Sequence, residues 1–301
     1  MEKENENFAD RLIEEIEKTK SPICVGLDPD FEKFPEFLKK EKKEKAIFEF
    51  TKRIIDATFD LVPAFKIQTA FYEKEKSIGI KILEKTISYL KEKGKIVILD
   101  IKKGDIGNIA KIQAKTYLSK EGFDGDAVTL NPYLGTDSIL PFLEIAKKEK
   151  KGIFVLTKTS NPSSREIQDQ KTIKKERIYE RVAKLIKKWG KNTEGRTGFQ
   201  IVGAVVSATF PKVAKKLREL LPKTIFLVPG YGKQGGKAKD VIFHFKKGLR
   251  GAIINNSRGI IFAFREPNFK IKFKEKEFER ASREAVLEMK KELWKIQKLR
   301  N

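Results

Sequence analysis

The sequence predicts an α/β fold, a (β/α)8 barrel of the TIM type. Eight short apolar runs recur along the chain, and most lead through a polar, glycine-containing turn into an amphipathic helical pattern. Strand–helix alternation repeated eight times is typical of a parallel barrel. A doubly wound open sheet is the alternative, but the number of strands favours the barrel. A length of 301 residues suits one large domain or two small ones, and we expect residues 1–301 to form a single barrel domain with an additional helix at each terminus.

The eight predicted strands share a short apolar run that ends in polar residues. They are ICVGL (23–27), LVPAFKI (61–67), KIVILDI (95–101), DAVTL (126–130), GIFVL (152–156), QIVGAVV (200–206), TIFLVP (224–229) and GAIIN (251–255). Between them, apolar residues recur at helical spacing and predict helices at 45–60, 78–94, 138–150 and 211–221.

Three segments lie outside this alternation. Residues 1–18 place Phe8 and other apolar residues at helical spacing, which predicts an amphipathic helix that closes the bottom of the barrel. A second helix is predicted from Glu275 to Leu299. The stretch 161–198 is long for a strand–helix connection and contains one predicted helix, Ile173–Trp189. We therefore expect an extended loop after strand five.

Composition narrows the class of protein. Lys and Arg exceed Asp and Glu by 65 to 42, a net charge of +23, which could attract nucleic acid or phosphorylated substrates. The lysines are interleaved with glutamates through nearly every predicted helix, however, and no arginine-rich arm is present. Solvated helix faces, and no nucleic-acid partner, are therefore the favoured interpretation, although the charge could help to steer an anionic small molecule.

The same composition argues against membranes and disulfides. No apolar run approaches the ~20 residues that a membrane span needs, and the N-terminal pattern is not that of a signal peptide. Cys24 is the single cysteine and lies in an apolar run, so a buried, inert thiol is expected. We therefore expect a cytoplasmic protein without membrane partners.

Polar residues follow most of the predicted strands, and the active site of such a barrel lies at the C-terminal ends of its strands. This set has much charge but no cluster of metal ligands, and it contains Asp28, Lys66, Gln68, Asp100, Lys102, Asp105, Asn131, Thr159, Ser160, Gln234 and the stretch from Asn255 to Arg258. The lone histidine, His244, lies well past a strand end, so a surface or packing role is expected and a histidine-based triad is excluded.

The run DIKKGD (100–105) is the most informative stretch. Asp100 and Lys102 share strand parity and point to the same face, and Gly104 allows a turn that brings Asp105 round. A lysine flanked by carboxylates is held as the ammonium, which suits a proton donor better than a Schiff-base nucleophile. A surface ion-pair run is the alternative. The position at the end of a barrel strand favours catalysis.

Two glycine-containing segments, VPGYGKQGG (228–236) and NNSRGI (255–260), follow strands seven and eight. Barrels commonly bind phosphate in the loops after these two strands. Backbone amides of such a loop can contact phosphate oxygens, and Arg258 could make a bidentate contact. The two segments together predict a phosphate site.

These motifs, with those around them, resemble orotidine 5′-phosphate decarboxylases, in particular the longer-chain subgroup. The resemblance runs from about Cys24 to Phe264 and rests on VGLDPD, FKIQTAFYE, LDIKKGDIGN, VTLNPYLGTDSILPF, LTKTSNP, LVPGYGKQGG and INNSRGII in this order. It implies cofactor-free and metal-free loss of CO2 from orotidine 5′-monophosphate to give uridine 5′-monophosphate, in de novo pyrimidine synthesis.

The resemblance also implies a role for each matching residue. Lys102 would protonate the ring carbon that loses CO2, and Asp100 would repel the substrate carboxylate. Lys66 would link Asp100 to the ribose. The remaining positions are Asp28 at the ribose, Thr159 and Ser160 at the pyrimidine, Pro229, Gln234 and Arg258 at the phosphate, and Asp105 and Ile106 in the site of a neighbouring subunit, which implies a homodimer. One departure is Ile109, where the family usually has a threonine that contacts the ribose.

Three other functions remain open at this point. A sugar-phosphate decarboxylase on the same barrel has the same D-x-K-x-x-D pattern and uses magnesium. A Schiff-base aldolase would use Lys102 as its nucleophile. A basic nucleic-acid-binding protein would need no catalytic residue at all.

Overall fold

The computed structural model describes residues 6–298, and its centre is a closed barrel of eight parallel strands in sequence order. The strands are β1 (Ile23–Leu27), β2 (Ala64–Gln68), β3 (Ile96–Lys103), β4 (Ala127–Leu130), β5 (Gly152–Lys158), β6 (Gln200–Val206), β7 (Thr224–Val228) and β8 (Ala252–Asn256). Pairing of β1 with β8 closes the barrel. The predicted fold class is therefore confirmed.

The strands read as continuous apolar runs because both of their faces are buried. Every residue of β1, β4, β6 and β7 is buried, between the barrel interior and the surrounding helices. The second predicted strand starts three residues too early, since β2 begins at Ala64. Pro63 has no N–H to donate to a strand ladder, so the chain before it belongs to the connection.

The helices surround the barrel and follow the strands in turn. They are α1 (Phe8–Thr19), α2 (Glu36–Lys39), α3 (Lys43–Thr58), α4 (Ala70–Glu73), α5 (Lys76–Glu92), α6 (Gly107–Leu118), α7 (Leu140–Lys148), α8 (Ser164–Gln168), α9 (Ile178–Trp189), α10 (Pro211–Leu220), α11 (Ala238–Val241), α12 (Arg258–Ile261), α13 (Pro267–Lys270) and α14 (Phe278–Lys298). The four predicted inter-strand helices agree with α3, α5, α7 and α10 to within two residues at each end.

Helix α1 covers the N-terminal ends of the strands, as the sequence predicts. Phe8 packs edge-on against Phe154 of β5, with 5.9 Å between the ring centroids. A Cβ atom on Gly152 would lie 2.2 Å from the Phe8 ring, so this position requires glycine. Arg11 also forms an ion pair with Asp126, just before β4, at 3.2 Å. Residues 1–5 of the predicted helix lie outside the described residues.

Two predicted helices need correction at their ends. The helix predicted from 173 begins only at Ile178, because the backbone N–H of Thr172 bonds to the carbonyl of Glu176 and closes a turn there. The same loop contains a further short helix, α8, that the sequence analysis did not predict. The C-terminal helix begins at Phe278 after a 3-10 turn at Glu275–Glu277, and Leu299 lies outside the described residues.

The lone cysteine and the lone histidine are both structural. Burial raises the pKa of the Cys24 thiol to about 12, which keeps it protonated and inert. His244 is fully buried, contacts the carbonyl of Ser207 at 3.1 Å, and packs edge-on against Phe226. Burial lowers the pKa of His244 to about 4, so the ring is neutral at physiological pH. A packing role is confirmed, whereas a surface role is wrong.

The surface charge follows the pattern expected for solvated helices. Lys39 pairs with Glu36, Lys45 with Glu41, and other lysines pair with acids three or four residues away. Among residues 6–298, none of the helices combines the length and the apolar character that crossing a bilayer requires.

The attachment of α1 generates a stability prediction. The buried Asp10 carboxylate accepts hydrogen bonds from the backbone and hydroxyl of Thr197, at 2.7 and 2.8 Å, and from the backbone N–H of Arg196. Asp10→Ala leaves these donors unpaired, so we expect the free energy of unfolding to fall by about 1–3 kcal/mol. Glu41→Ala, which removes an exposed ion pair with Lys45, is the control and should cost less than about 1 kcal/mol.

The stabilisation by Asp10 should depend on pH. Burial raises the pKa of Asp10, but the hydrogen bonds from Thr197 outweigh it, so the folded-state pKa lies below the ordinary value. The stabilisation is therefore fully present above the unfolded-state pKa of about 3.9 and is lost as the pH falls through the folded-state pKa. Urea unfolding of both variants from pH 7 to pH 3 measures this. Equal losses for Asp10→Ala and Glu41→Ala at pH 7 would contradict the assignment.

Candidate active site

A cavity of about 1000 Å³ opens at the C-terminal ends of the barrel strands. This is the end at which (β/α)8 enzymes carry their active sites. Most of the site residues predicted from the sequence line this cavity, namely Asp28, Lys66, Asp100, Lys102, Thr159, Ser160, Pro229, Gln234 and Arg258.

The centre of the cavity floor is the carboxylate of Asp100. Its Oδ2 atom accepts hydrogen bonds from Lys66 Nζ at 2.7 Å and from Gln68 Nε2 at 3.3 Å. Its Oδ1 atom accepts from Lys102 Nζ at 2.7 Å and from Thr129 Oγ1 at 2.8 Å. Two cations and two neutral donors, which come from three neighbouring strands, therefore hold one buried carboxylate in place.

The ionisation of this group follows from its neighbours. Burial by itself raises the pKa of the Asp100 carboxyl, but the ammonium groups of Lys66 and Lys102 outweigh burial and hold the pKa well below its usual range. Burial likewise lowers the pKa of Lys66, and the carboxylates of Asp100 and Asp28 reverse the effect, so that this pKa lies above its ordinary value. Asp100 is thus a carboxylate, and Lys66 an ammonium, at neutral pH.

The backbone around Lys102 is irregular. The pairing of β3 with β4 is interrupted between Leu99 and Lys103, and Lys102 has a φ of +48°, in the left-handed region. Irregularities of this kind re-aim side chains next to active sites. The contact between the side chains of Asp100 and Lys102, expected from strand parity, is confirmed, although the strand is not regular where the contact forms.

Asp105 and Ile106 lie apart from this cluster. They follow β3, and neither lines the cavity of its own chain. The carboxylate of Asp105 accepts a hydrogen bond from the backbone N–H of Ile106 at 2.8 Å. Ile106 is 52% exposed, and Ile109 and Ile112 on α6 are exposed to a similar extent. The protein therefore has an exposed apolar strip beside the mouth of the cavity.

The loop after β5 forms the wall that contains Thr159 and Ser160. Gln168 of α8 binds Thr159 twice, accepting from its backbone N–H at 3.0 Å and donating to its hydroxyl at 2.8 Å. Next to it, the fully buried Lys158 pairs with Asp169 at 2.8 Å. The extended loop that the sequence predicts is thus anchored to the end of β5. No motif or spacing in the sequence indicates a role for Gln168.

The glycine-rich loop after β7 forms another part of the cavity wall, and an ideal Cβ atom on Gly230 would lie 3.4 Å from the side chain of Ser160. Gly230, Gly232 and Gly235 have φ values of +93°, +74° and +94°, which side chains rarely adopt. Arg258 is exposed at the start of α12 and, within residues 6–298, has no ion-pair partner. This part of the cavity therefore presents a cation without an ion-pair partner among the described residues beside a tight loop, which suits an anionic group.

Several cavity residues were missed or left without a role in the sequence analysis. Thr129 was not selected, although a threonine within an apolar strand was the available signal. One buried oxygen of Asp28, and one of Asn255, has no hydrogen-bond partner within the described part of the chain. Unpaired buried acceptors are costly, so both are candidates to receive hydrogen bonds from a bound molecule. Tyr231 also lines the cavity and donates to Glu292 of α14 at 2.6 Å.

In the described range 6–298, no group of three or more His, Cys, Asp or Glu side chains is arranged to hold a metal ion. The chemistry available at the cavity floor is that of lysine ammonium groups and carboxylates. Such a pair can deliver a proton and can repel or attract a charged substituent.

Comparison with known proteins identifies the family. A family model described as orotidine 5′-phosphate decarboxylase / HUMPS family matches residues 21–268. The orotidine 5′-phosphate decarboxylase of Caldicellulosiruptor bescii is 43% identical over 277 residues, which cover 86% of this chain and 90% of that protein.

Solved structures of similar fold carry related names. The OMP decarboxylase of Leishmania donovani matches with a TM-score of 0.77 and 30% identity, over 97% of this chain and 99% of that one. The UMP synthase of the same organism matches with a TM-score of 0.79 and 32% identity over 97% of this chain, which spans only 57% of that longer protein. By its family model and by identity above 30% over most of its length, the chain belongs to the orotidine 5′-phosphate decarboxylase / HUMPS family.

Proposed function

We propose that this chain decarboxylates orotidine 5′-monophosphate to uridine 5′-monophosphate without a cofactor, in the de novo synthesis of pyrimidine nucleotides. Family membership and the names of the relatives support the substrate. The single observation that carries the chemistry is the buried Asp100 carboxylate held between the ammonium groups of Lys66 and Lys102.

Lys102 is the proposed proton donor. In the reaction the bond between C6 of the pyrimidine and the carboxylate carbon breaks, CO2 leaves, and the electron pair remains on C6. The Lys102 ammonium gives its proton to C6, which yields the product and a neutral amine. The side chain of Lys102 is 45% exposed, so water can return the proton before the next turnover.

Asp100 acts on the substrate through its charge. A carboxylate fixed near the departing carboxylate raises the energy of the bound substrate, and this repulsion disappears as CO2 leaves. The effect requires that Asp100 neither rotates away nor takes up a proton. Four hydrogen-bond donors and the low pKa of Asp100 support both conditions.

The remaining residues bind the substrate. The part of the cavity that Arg258 and the glycine-rich loop line suits the phosphate, and the wall after β5 suits the pyrimidine. The proposed assignments are Asp28 and Lys66 to the ribose, Thr159 and Ser160 to the pyrimidine, and Pro229, Gln234 and Arg258 to the phosphate.

A homodimer with shared sites is part of the proposal. Asp105 and Ile106 do not line the cavity of their own chain, which is consistent with their reaching a partner's cavity. The exposed Ile106, Ile109 and Ile112 would be covered in such a dimer. At position 109 the apolar isoleucine would pack where the family usually has threonine.

A cytoplasmic location is also proposed, since a charged nucleotide does not cross membranes unaided.

The direct test is to mix purified protein with orotidine 5′-monophosphate and follow the loss of its absorbance. We expect turnover, with uridine 5′-monophosphate and CO2 in equal amounts. No turnover, together with tight and steeply salt-dependent binding of nucleic acid, would instead support the nucleic-acid-binding alternative.

Two further assays separate the enzymatic alternatives. Excess chelator should leave turnover unchanged. Loss of turnover in chelator would favour a magnesium-dependent sugar-phosphate decarboxylase. Treatment with borohydride in the presence of substrate should leave Lys102 unmodified. Only a Schiff-base aldolase would form an imine between Lys102 and its substrate that borohydride could reduce and trap.

Lys102→Ala should lower kcat by at least about 10³-fold, because it removes the proposed proton donor. The fold should persist, because Asp100 keeps Lys66, Gln68 and Thr129 as donors. Lys103→Ala, which changes the neighbouring lysine outside the cavity, is the control and should stay within about fivefold of wild type. Activity of Lys102→Ala within tenfold of wild type would refute the assignment.

Arg258→Ala should affect phosphorylated and unphosphorylated substrates differently. We expect kcat/KM for orotidine 5′-monophosphate to fall by at least about 10²-fold, and kcat/KM for orotidine to change little, because binding energy from the phosphate is used at the reacting carbon. Arg265→Ala, which removes a surface contact to the Lys33 carbonyl, is the control. Equal losses on both substrates would assign Arg258 to another role.

The shared site predicts complementation between inactive variants. Lys102→Ala and Asp105→Ala should each be nearly inactive, yet a mixed dimer has one site with both changes and one site with neither. Random subunit exchange makes half of the dimers mixed, so about a quarter of wild-type activity should return. Steady-state assays before and after demonstrated exchange measure this. If exchange occurs without recovery, Asp105 acts within its own chain.

A further inference from the structure

The hydroxyl of Thr129 connects the two groups to which the proposed mechanism assigns the chemistry. It donates to Asp100 Oδ1 at 2.8 Å and accepts the backbone N–H of Lys102 at 3.0 Å. Thr129 lies in β4 and is 1% exposed, so water does not compete for either bond. One side chain on a neighbouring strand thus holds both the carboxylate and the peptide of the lysine.

This use of a buried threonine differs from that of three buried threonines in the helices. The hydroxyls of Thr51, Thr58 and Thr86 each donate to the carbonyl four residues earlier in their own helix. Such bonds are local and leave other elements unaffected. The bonds of Thr129 instead join β4 to a residue pair on β3.

The backbone of β3 explains why such a link is needed. Ladder pairing joins Leu99 to Val128 and resumes only between Lys103 and Leu130. Between these pairs Lys102 adopts its left-handed conformation, which costs free energy for any residue with a side chain. The Thr129 hydroxyl accepts a hydrogen bond from the backbone N–H of Lys102, which lies where the ladder is interrupted. This bond supports the conformation that directs the Lys102 side chain towards Asp100.

We propose that Thr129 is a positioning residue for the proton-transfer step, which fixes the left-handed Lys102 peptide and one oxygen of Asp100 in a single arrangement. The inference rests on the proposed roles of Lys102 and Asp100. It assigns Thr129 no proton transfer of its own. Its effect should therefore be on the rate of the chemical step rather than on nucleotide binding.

The test compares Thr129→Val, which keeps the shape and removes the hydroxyl, with Thr129→Ser, which keeps the hydroxyl. Because bonds to charged groups are involved, we expect kcat of Thr129→Val to fall by about 10- to 100-fold. KM for orotidine 5′-monophosphate and Kd for uridine 5′-monophosphate should stay within about threefold. Thr129→Ser should recover kcat to within about threefold of wild type.

Thr58→Val is the matched control, because it removes a buried hydroxyl far from the cavity. It should lower Tm without changing kcat. If Thr129→Val does not fold, Thr129→Ala and Thr129→Ser provide the same comparison, with Ala reduced in kcat and Ser near wild type.

Three outcomes would overturn the inference. Unchanged kcat in the hydroxyl-free variant would show that the two bonds do not matter for the reaction. Equal losses in Thr129→Ser and Thr129→Val would show that a retained hydroxyl does not rescue the rate, and would assign the effect to side-chain packing. A rise in KM and Kd with kcat unchanged would make Thr129 a binding residue. Absence of turnover in the wild-type protein would refute the proposed function itself, which is a separate result.

Discussion

The ionised carboxylate of Asp100 is the constraint on which the site depends. Two lysines donate to it at 2.7 Å, one to each oxygen. A buried ion pair is costly unless its remaining hydrogen-bonding capacity is satisfied. Gln68 and Thr129 donate the further hydrogen bonds, one to each oxygen of Asp100. The cluster is therefore held in one arrangement before any substrate arrives, and the carboxylate does not need to reorganise during the reaction.

The barrel makes this arrangement possible. Lys66, Asp100 and Thr129 lie on three adjacent strands, β2, β3 and β4, whose C-terminal ends meet at one rim. The strands before that rim are buried on both faces, so the polar cluster stands on a rigid apolar base. The long loop after β5 and the glycine-rich loop after β7 then complete the cavity. Rigid strands fix the reacting groups, and loops supply the substrate contacts.

Much of the fold and part of the site could be predicted from the sequence. Apolar runs followed by polar strand ends located the eight strands, and Asp100, Lys102 and Arg258 were selected by their position after such runs. Gln168 and Thr129 could not be predicted, because their roles depend on contacts with residues elsewhere in the chain. The left-handed conformation of Lys102 escaped because a lysine gives no local signal for it. Strand β2 was misplaced because apolar residues before Pro63 belong to the connection.

The charge on Asp100 is the claim to test most directly. Selective 13C labelling of aspartate carboxyls, with Asp100 assigned by the signal missing from Asp100→Asn, allows its chemical shift to be followed by NMR from pH 9 to pH 4. Because the pKa of Asp100 lies well below its usual range, the shift should remain that of a carboxylate throughout. A titration of this signal with a midpoint at or above about 4, the ordinary aspartate value, would contradict the account.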